Sequence, residues 1–450
     1  MEVSEGSESG KYGVVAKLLI AGSAVVVAIM LSVGLGWLDF LASDGSLDRT
    51  YSGSLVVYWG LLCVAYICWT GVRRRKKQLW LFLISAIASL SLAELALRFL
   101  HPERTFASYR GESSAEFHHG YAADQEMYCG EQEGHSIVVR TNQDGLRTDY
   151  TPLTFGEHEE RVVVLGDSFT FGFRVRQERT FVRVAEQLLR KRGSNSEQDI
   201  AVMNAGLVSY SPLLQARLLK RKLEVYKPTL VILCLDATDI GDDYKYAGEL
   251  GADDSFRILP NDPLPKTYGL LYGSLQPYFE RPFELLASRF GGNDEEEYDY
   301  YDFKLEIGGV TERNRFFIFR HPLEDTRPYF ESTLDNVSEI AKGAAEIGAD
   351  FLLVVTPRFP HWNPKECPSN WESSEYSRNE PFQMEYFNFF EEARSRVDYP
   401  IFSMLPAFQA TEEFPLVFES DPHWNERGHS FVGKVLADHL LESGLVGSSQ

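Results

Sequence analysis

Four short stretches of this chain carry side chains able to do chemistry, and three of them end an apolar run. Gly166-Asp167-Ser168 follows "RVVVL", Asn204-Ala205-Gly206 follows "IAVM", and Asp236-Ala237-Thr238-Asp239 follows "LVILCL". The fourth, "DPHWNERGH" (421–429), stands just before an amphipathic segment. A serine hydroxyl is a weak nucleophile until an imidazole takes its proton, and the imidazole needs a carboxylate to fix its tautomer. Ser168, His423 and Asp421 supply the three groups. Asp421 and His423 are two residues apart, so a bend through Pro422 turns the carboxylate back to Nδ1. Backbone N–H groups at Ser168 and Gly206 can then hold the negative charge that develops on an ester carbonyl oxygen. Glycine at 206 suits a close approach of backbone to substrate. Taken singly, each residue has a plainer reading: Ser168 or Asp421 as a helix cap, Asn204–Gly206 as a turn, and His423, His429 or His439 as a surface histidine. Their joint appearance at successive run ends favours the chemical reading.

The elements that must position these residues alternate along the chain. "RVVVLGD" precedes "TFVRVAEQLLRKRG", whose apolar residues have helical spacing and a glycine stop. "IAVMNAG" precedes "PLLQARLLKRKLEVY", "PTLVILCLD" follows, "VSEIAKGAAEIGA" leads into "DFLLVVTP", and "GHSFVGKVLADHLLESG" comes last. Short β-branched runs alternating with helical segments predict a parallel sheet covered by helices on both faces. In such sheets ligands sit at the carboxyl ends of the strands, where the four stretches fall. The sheet-and-helix domain is expected over 161–445. A polar lead-in is expected over 101–160, in which "IVVRTNQDGLRTDY" (137–150) reads as a short strand and a turn. Residues 240–330, rich in Pro, Gly and aromatics and holding the acidic run "NDEEEYDYYDF" (293–303), break the alternation. They read as an insertion beside the site, either a lid or a solvated acidic loop.

The first hundred residues read as a membrane anchor. Leu18–Leu38 and Ser52–Val72 contain no charged residue, and each is about the ~20 residues that cross a bilayer as a helix. A shorter third run spans Gln78–Ala93, with Glu94 and Arg98 near its far end. The first run is too long for the apolar core of a signal peptide and has no convincing cleavage site. "RRRKK" (73–77) between the second and third runs belongs on the cytoplasmic side, which places everything after residue ~100 outside. Lys+Arg 44 against Asp+Glu 65 gives a net charge of −21, which argues against nucleic acid as a partner. Of five cysteines, Cys63 and Cys68 lie in an apolar run and Cys234 in a strand-like run, so only Cys129 and Cys367 are free to pair, and the sequence leaves open whether they do; none has metal-ligand spacing.

"LGDSFTFG", "NAG", "DATD" and "DPHWNERGH" together resemble the ordered blocks of the SGNH/GDSL hydrolase superfamily, most of all its membrane-anchored bacterial members; "TNQDGLRT" resembles the lead-in of that group. The resemblance covers roughly residues 137–440. It implies a three-layer, flavodoxin-like α/β fold preceded by transmembrane helices, and ester hydrolysis or acyl transfer without metal or cofactor. Ser168 resembles the nucleophile, His423 the base, Asp421 its orienting carboxylate and Gly206 an oxyanion donor. Where the family has Gly-x-Asn-Asp this chain has Asp236-Ala237-Thr238-Asp239, so Thr238 stands in place of the asparagine that helps bind the oxyanion. The expected activity is that of an extracytoplasmic serine esterase, held on the bacterial inner membrane, acting on O-acyl groups of envelope or secreted glycans. The rivals are an O-acyltransferase with the same triad, a non-catalytic glycan-binding or assembly protein using Trp362, Trp371 or Trp424 to stack on sugars, and a lipid esterase.

Overall fold

The computed structural model describes residues 107–108, 112–132, 135–192, 199–256, 303–374 and 376–447. The three expected spans, the basic cluster between them and most of the expected insertion lie outside the described residues. Among the described residues no helix is long and apolar enough to cross a membrane.

Five strands build the central sheet: β1 (Glu160–Leu165), β2 (Ile200–Asn204), β3 (Leu230–Leu235), β4 (Asp350–Val355) and β5 (Ile401–Ser403). They lie in the order β2-β1-β3-β4-β5 with every neighbouring pair parallel. All of β2 and β3 and the last four residues of β1 are buried. Unbroken burial of Val, Ile and Leu is what a strand covered on both faces requires. The strand order reverses at β1, so a crevice opens beyond its carboxyl end, between the ends of β2 and β3. Ser168, Gly206 and Asp236 leave the sheet there.

Six helices cover it: α1 (Phe181–Arg192), α2 (Pro212–Leu218), α3 (Asp239–Glu249), α4 (Leu323–Glu346), α5 (Glu385–Ala393) and α6 (Glu426–Glu442). α1 packs on α6, while α2, α3 and α4 pack on one another and α5 on α4, giving the three layers expected. The approach of α6 to α1 depends on Gly433, where a Cβ would stand 2.8 Å from the Phe181 carbonyl oxygen and from Val184. Before the sheet, Glu126–Gln132 pairs antiparallel with His135–Arg140, and Glu112–Ser114 with His118–Gly120.

Both ends of the segment expected as an insertion belong to the domain instead. α3 takes up its first residues, and a hairpin of Leu305–Ile307 with Val310–Glu312 its last. A turn at Arg315–Phe319 then buries Phe316, Phe317, Ile318 and Phe319 in the core. Aromatic density there is core packing, not loop composition. Cys129 and Cys367 are both free thiols rather than a pair.

Candidate active site

The site starts from a turn that only glycine can make. At Gly166, φ is 156°, and a Cβ would lie 2.1 Å from Thr170 Oγ1 and 3.0 Å from the Cys234 carbonyl oxygen. Asp167 then caps a four-residue helix, Ser168–Phe171, its carboxylate accepting from the Phe169 N–H at 2.8 Å. With Asp167 as the cap, the Ser168 side chain is left for another task. Ser168 Oγ donates to His423 Nε2 at 2.7 Å, and His423 Nδ1 donates to Asp421 Oδ1 at 2.5 Å. The same carboxylate oxygen accepts the backbone N–H of His423 at 3.0 Å, which is how a two-residue spacing folds an aspartate onto its histidine. Burial pushes the Asp421 carboxyl up, but the charge and two hydrogen bonds of His423 outweigh it and hold it below the usual carboxylate range. The imidazole packs against Phe169 and Phe173, with ring centroids 4.7 and 5.0 Å away.

The loop that carries the histidine is pinned on both sides. Asn425 caps α6 by accepting from the Gly428 N–H at 2.9 Å, and its amide donates to the carbonyls of Pro415 and Val417. The other histidines named from the sequence go elsewhere. His429 is buried with Nδ1 accepting from the Phe181 N–H at 3.0 Å, and burial drives its pKa down to about 3, so it stays neutral. His439 stacks on Phe402, 3.7 Å between centroids. Of the tryptophans, Trp424 is core, wedged against Phe169 and Phe181, Trp362 packs on Phe408, and Trp371 is 52% exposed.

The expected oxyanion donors need correction. The Ser168 N–H, at the first position of its helix, makes no intrahelical bond and is open to a ligand. The Gly206 N–H is already donated to Asn204 Oδ1 at 2.9 Å. A Cβ at 206 would meet Phe171 N at 2.5 Å, and Asn204 Nδ2 donates to the Thr170 carbonyl at 2.9 Å. This turn therefore props the helix of the nucleophile. Thr238 is buried, and its hydroxyl donates to Asp236 Oδ2 at 2.5 Å, with its N–H on the same oxygen at 3.0 Å. Neither Gly206 nor Thr238 holds a proton ready for substrate.

What occupies the place of the third donor is a buried charge network that sequence reading missed. Arg358 Nε donates to both oxygens of Asp236 (3.2 and 3.0 Å) and its Nη1 to Glu372 at 2.6 Å. Arg315 joins Asp242 at 3.0 Å and Glu372 at 3.5 Å. The Arg358 guanidinium lies 5.3 Å from the ring centroid of Phe169, the residue after the nucleophile. Burial opposes ionisation of Asp236, but Arg358 and Thr238 overcome it and hold its pKa down. Nearby Asp167 rises to about 7 through burial and the charge of Asp236, and Asp239 is pushed well up by burial and by Asp167 and Asp236. The signal available in sequence was an arginine three residues past the end of β4, a strand-end position like the others. Another buried guanidinium, Arg147 from the lead-in, donates to the carbonyls of Phe171, Gly172 and Val175 and fixes the chain leaving the nucleophile helix. Among the described residues no cluster of His, Cys, Asp and Glu has the arrangement of a metal site.

The described residues thus define a doubly wound α/β domain with a Ser-His-Asp relay at its topological switch point. The solved structures it resembles are G-D-S-L lipolytic proteins and esterases. An aryl esterase of M. smegmatis is 14% identical, with 63% of this chain and 99% of that chain covered and a TM-score of 0.34. A G-D-S-L family lipolytic protein from Desulfitobacterium hafniense is 11% identical over 62% of this chain and 97% of its own, TM-score 0.30. A two-domain esterase active on acetylated mannans is 13% identical over 63% of this chain and 48% of its own, TM-score 0.31. No protein-family model and no curated protein sequence matches the chain.

Proposed function

We propose that this protein is a serine ester hydrolase of the SGNH/GDSL type, tethered to the bacterial inner membrane by its first hundred residues and acting outside on O-acyl esters of envelope or secreted glycans. One observation carries the catalytic part: the unbroken relay from Ser168 Oγ through His423 to Asp421, at 2.7 and 2.5 Å. In the proposed reaction Ser168 Oγ attacks the acyl carbonyl as its proton passes to His423 Nε2. The imidazolium is stabilised by Asp421, whose depressed pKa keeps it ionised. The Ser168 N–H faces the developing oxyanion. His423 then returns the proton to the departing sugar hydroxyl, leaving an acyl-serine, and by the same relay activates the water that releases the acid. Location and substrate rest on the uncharged runs and the basic cluster of the sequence, which put the domain where acylated polymers are met.

Labelling of the full chain with a fluorophosphonate probe tests the nucleophile: Ser168→Ala abolishes labelling if the reading holds, and a chain that never labels overturns it. A reporter fused after residue ~110 tests the topology, and activity of a cytoplasm-only reporter at that junction removes both the tether and the envelope substrate.

A further inference from the structure

Just beyond the nucleophile helix the chain bends back onto the other two members of the relay. Phe173 lays its ring 5.0 Å from the His423 ring, and Arg174 extends Nη1 to 3.4 Å from Asp421 Oδ2. The same guanidinium stands over the Phe173 ring, 5.9 Å from its centroid. One short loop thus grips the histidine and the aspartate in succession. Its backbone is bent to do so. Arg174 has a φ of 59°, the left-handed region that strains any residue with a Cβ. Neighbouring bonds hold it there: Val175 N–H donates to the Gly172 carbonyl at 3.1 Å, and buried Arg147 donates to the carbonyls of Gly172 and Val175 on either side. Glycine would make this turn freely, so the arginine is held at a cost, and such strain gathers where a side chain has a task.

Asp421 shows what the task is. Its Oδ1 accepts both the ring and the backbone N–H of His423. Oδ2 is left to Arg174. The aspartate side chain is 5% exposed and the arginine 42%, so the guanidinium closes the relay on its water side. A cation at that oxygen keeps the carboxylate ionised and turned with Oδ1 toward Nδ1. It also opposes a second positive charge on the imidazole, which leaves Nε2 open to the Ser168 proton.

We infer that Arg174 is a positioning residue of the relay: through Asp421 Oδ2 it fixes the carboxylate against His423 and keeps the imidazole available as a base at mildly acid pH. The inference rests on the esterase reading. The other titratable or charged groups around the pair are Asp167 beside the nucleophile, Cys367 from the segment after β4, His429 from α6, and Arg358 across the Phe169 ring. Burial pushes the Cys367 thiol up to about 12 and His429 down to about 3, and Arg358 stays charged, so none of these three changes charge at moderate pH. Asp167 titrates near 7, but it does so in every Arg174 variant, and a difference between variants isolates the arginine.

The test is kcat/KM for a neutral chromogenic acetyl ester, followed from about pH 5 to 9 on the full chain in detergent. Arg174→Met should move the acid limb up by about half a pH unit, the scale of one half-exposed charge, and lower the plateau kcat about threefold with KM level. Arg174→Lys keeps the charge and should leave the limb in place. Arg174→Gly, relieved of the left-handed strain, should shift the limb as Met does while the thermal midpoint does not fall, a pairing that a merely structural arginine would not give. A limb unmoved in the Met and Gly variants, or moved as far in the Lys variant, overturns the role. Turnover by the unaltered chain would in that case still uphold the esterase reading, whereas no turnover by the unaltered chain removes that reading and the role with it.

Discussion

The turns leaving β1 and β3 sit side by side in the sheet, and both open with acidic and hydroxyl residues close together. After β1, Asp167 satisfies the backbone and Ser168 is free to meet a histidine from across the crevice. After β3, Asp236 takes both the hydroxyl and the N–H of Thr238 and is itself gripped by Arg358. One turn hands its hydroxyl proton to an imidazole across the crevice; the other consumes it internally. The difference is set by what faces each turn: a neutral-capable imidazole on one side, a permanent guanidinium on the other. A strand-end Ser or Thr is therefore chemical only when its neighbouring aspartate is occupied elsewhere.

Breaking the first turn has the largest expected effect. Ser168→Ala and His423→Ala should each lower ester turnover by at least ~10³-fold, and the double variant should be little worse than either, because the relay acts as one unit. Additive losses measured on a chromogenic acetyl ester would separate the two residues and break the relay. Dismantling the second turn should cost stability before rate. Arg358→Ala removes the counter-charge from buried Asp236 and leaves Glu372 with Arg315 alone, and loss of one partner of such a pair costs about 3–5 kcal/mol in denaturant unfolding. A variant as stable as the unaltered chain would mean the network is not holding the turn. Thr238→Val is the sharper probe. It should destabilise by roughly 1.5–3 kcal/mol through the lost charge-assisted hydrogen bond while the turnover of the folded fraction stays within about twofold. A loss of ~10²-fold would instead make the threonine an oxyanion donor. The smallest effect is a slope. Asp167 binds its proton in the folded protein up to pH about 7 but releases it near 3.8 when unfolded, so stability falls as pH rises across that window. Asp167→Asn keeps a cap for Phe169 and should flatten the fall by about one proton's worth, read from urea midpoints at successive pH values; an unchanged slope would place the titrating group elsewhere.

The sequence made visible what is local and repetitive. Four of the five sheet strands are mostly apolar runs, Ser168 stands just past the end of one, and Asp421 and His423 lie two apart before the last amphipathic segment, so these were readable in one dimension. β5 is three residues long and at the sheet edge, too brief to show a pattern. Arg358, Glu372 and Arg315 escaped because they are ordinary polar letters whose meaning lies in pairing with Asp236 and Asp242 over separations of up to 122 positions. Thr238 misled for the same reason: its hydroxyl is visible in sequence, but the acceptor that captures it is defined only in three dimensions. The aromatic stretch around Phe316 looked like loop because core phenylalanines outside a strand or helix carry no periodicity.

The close seat of α6 on α1, secured at Gly433, has a consequence in time. Ser168 and His423 are 255 positions apart, and synthesis delivers the serine long before its base. Until α6 settles on α1, the Ser168 hydroxyl lacks its imidazole partner. Contacts of such long sequence separation form late, since loop closure must precede the contacts that reward it. On the proposed reading, a chain that lacks α6 and the loop before it therefore has no assembled relay.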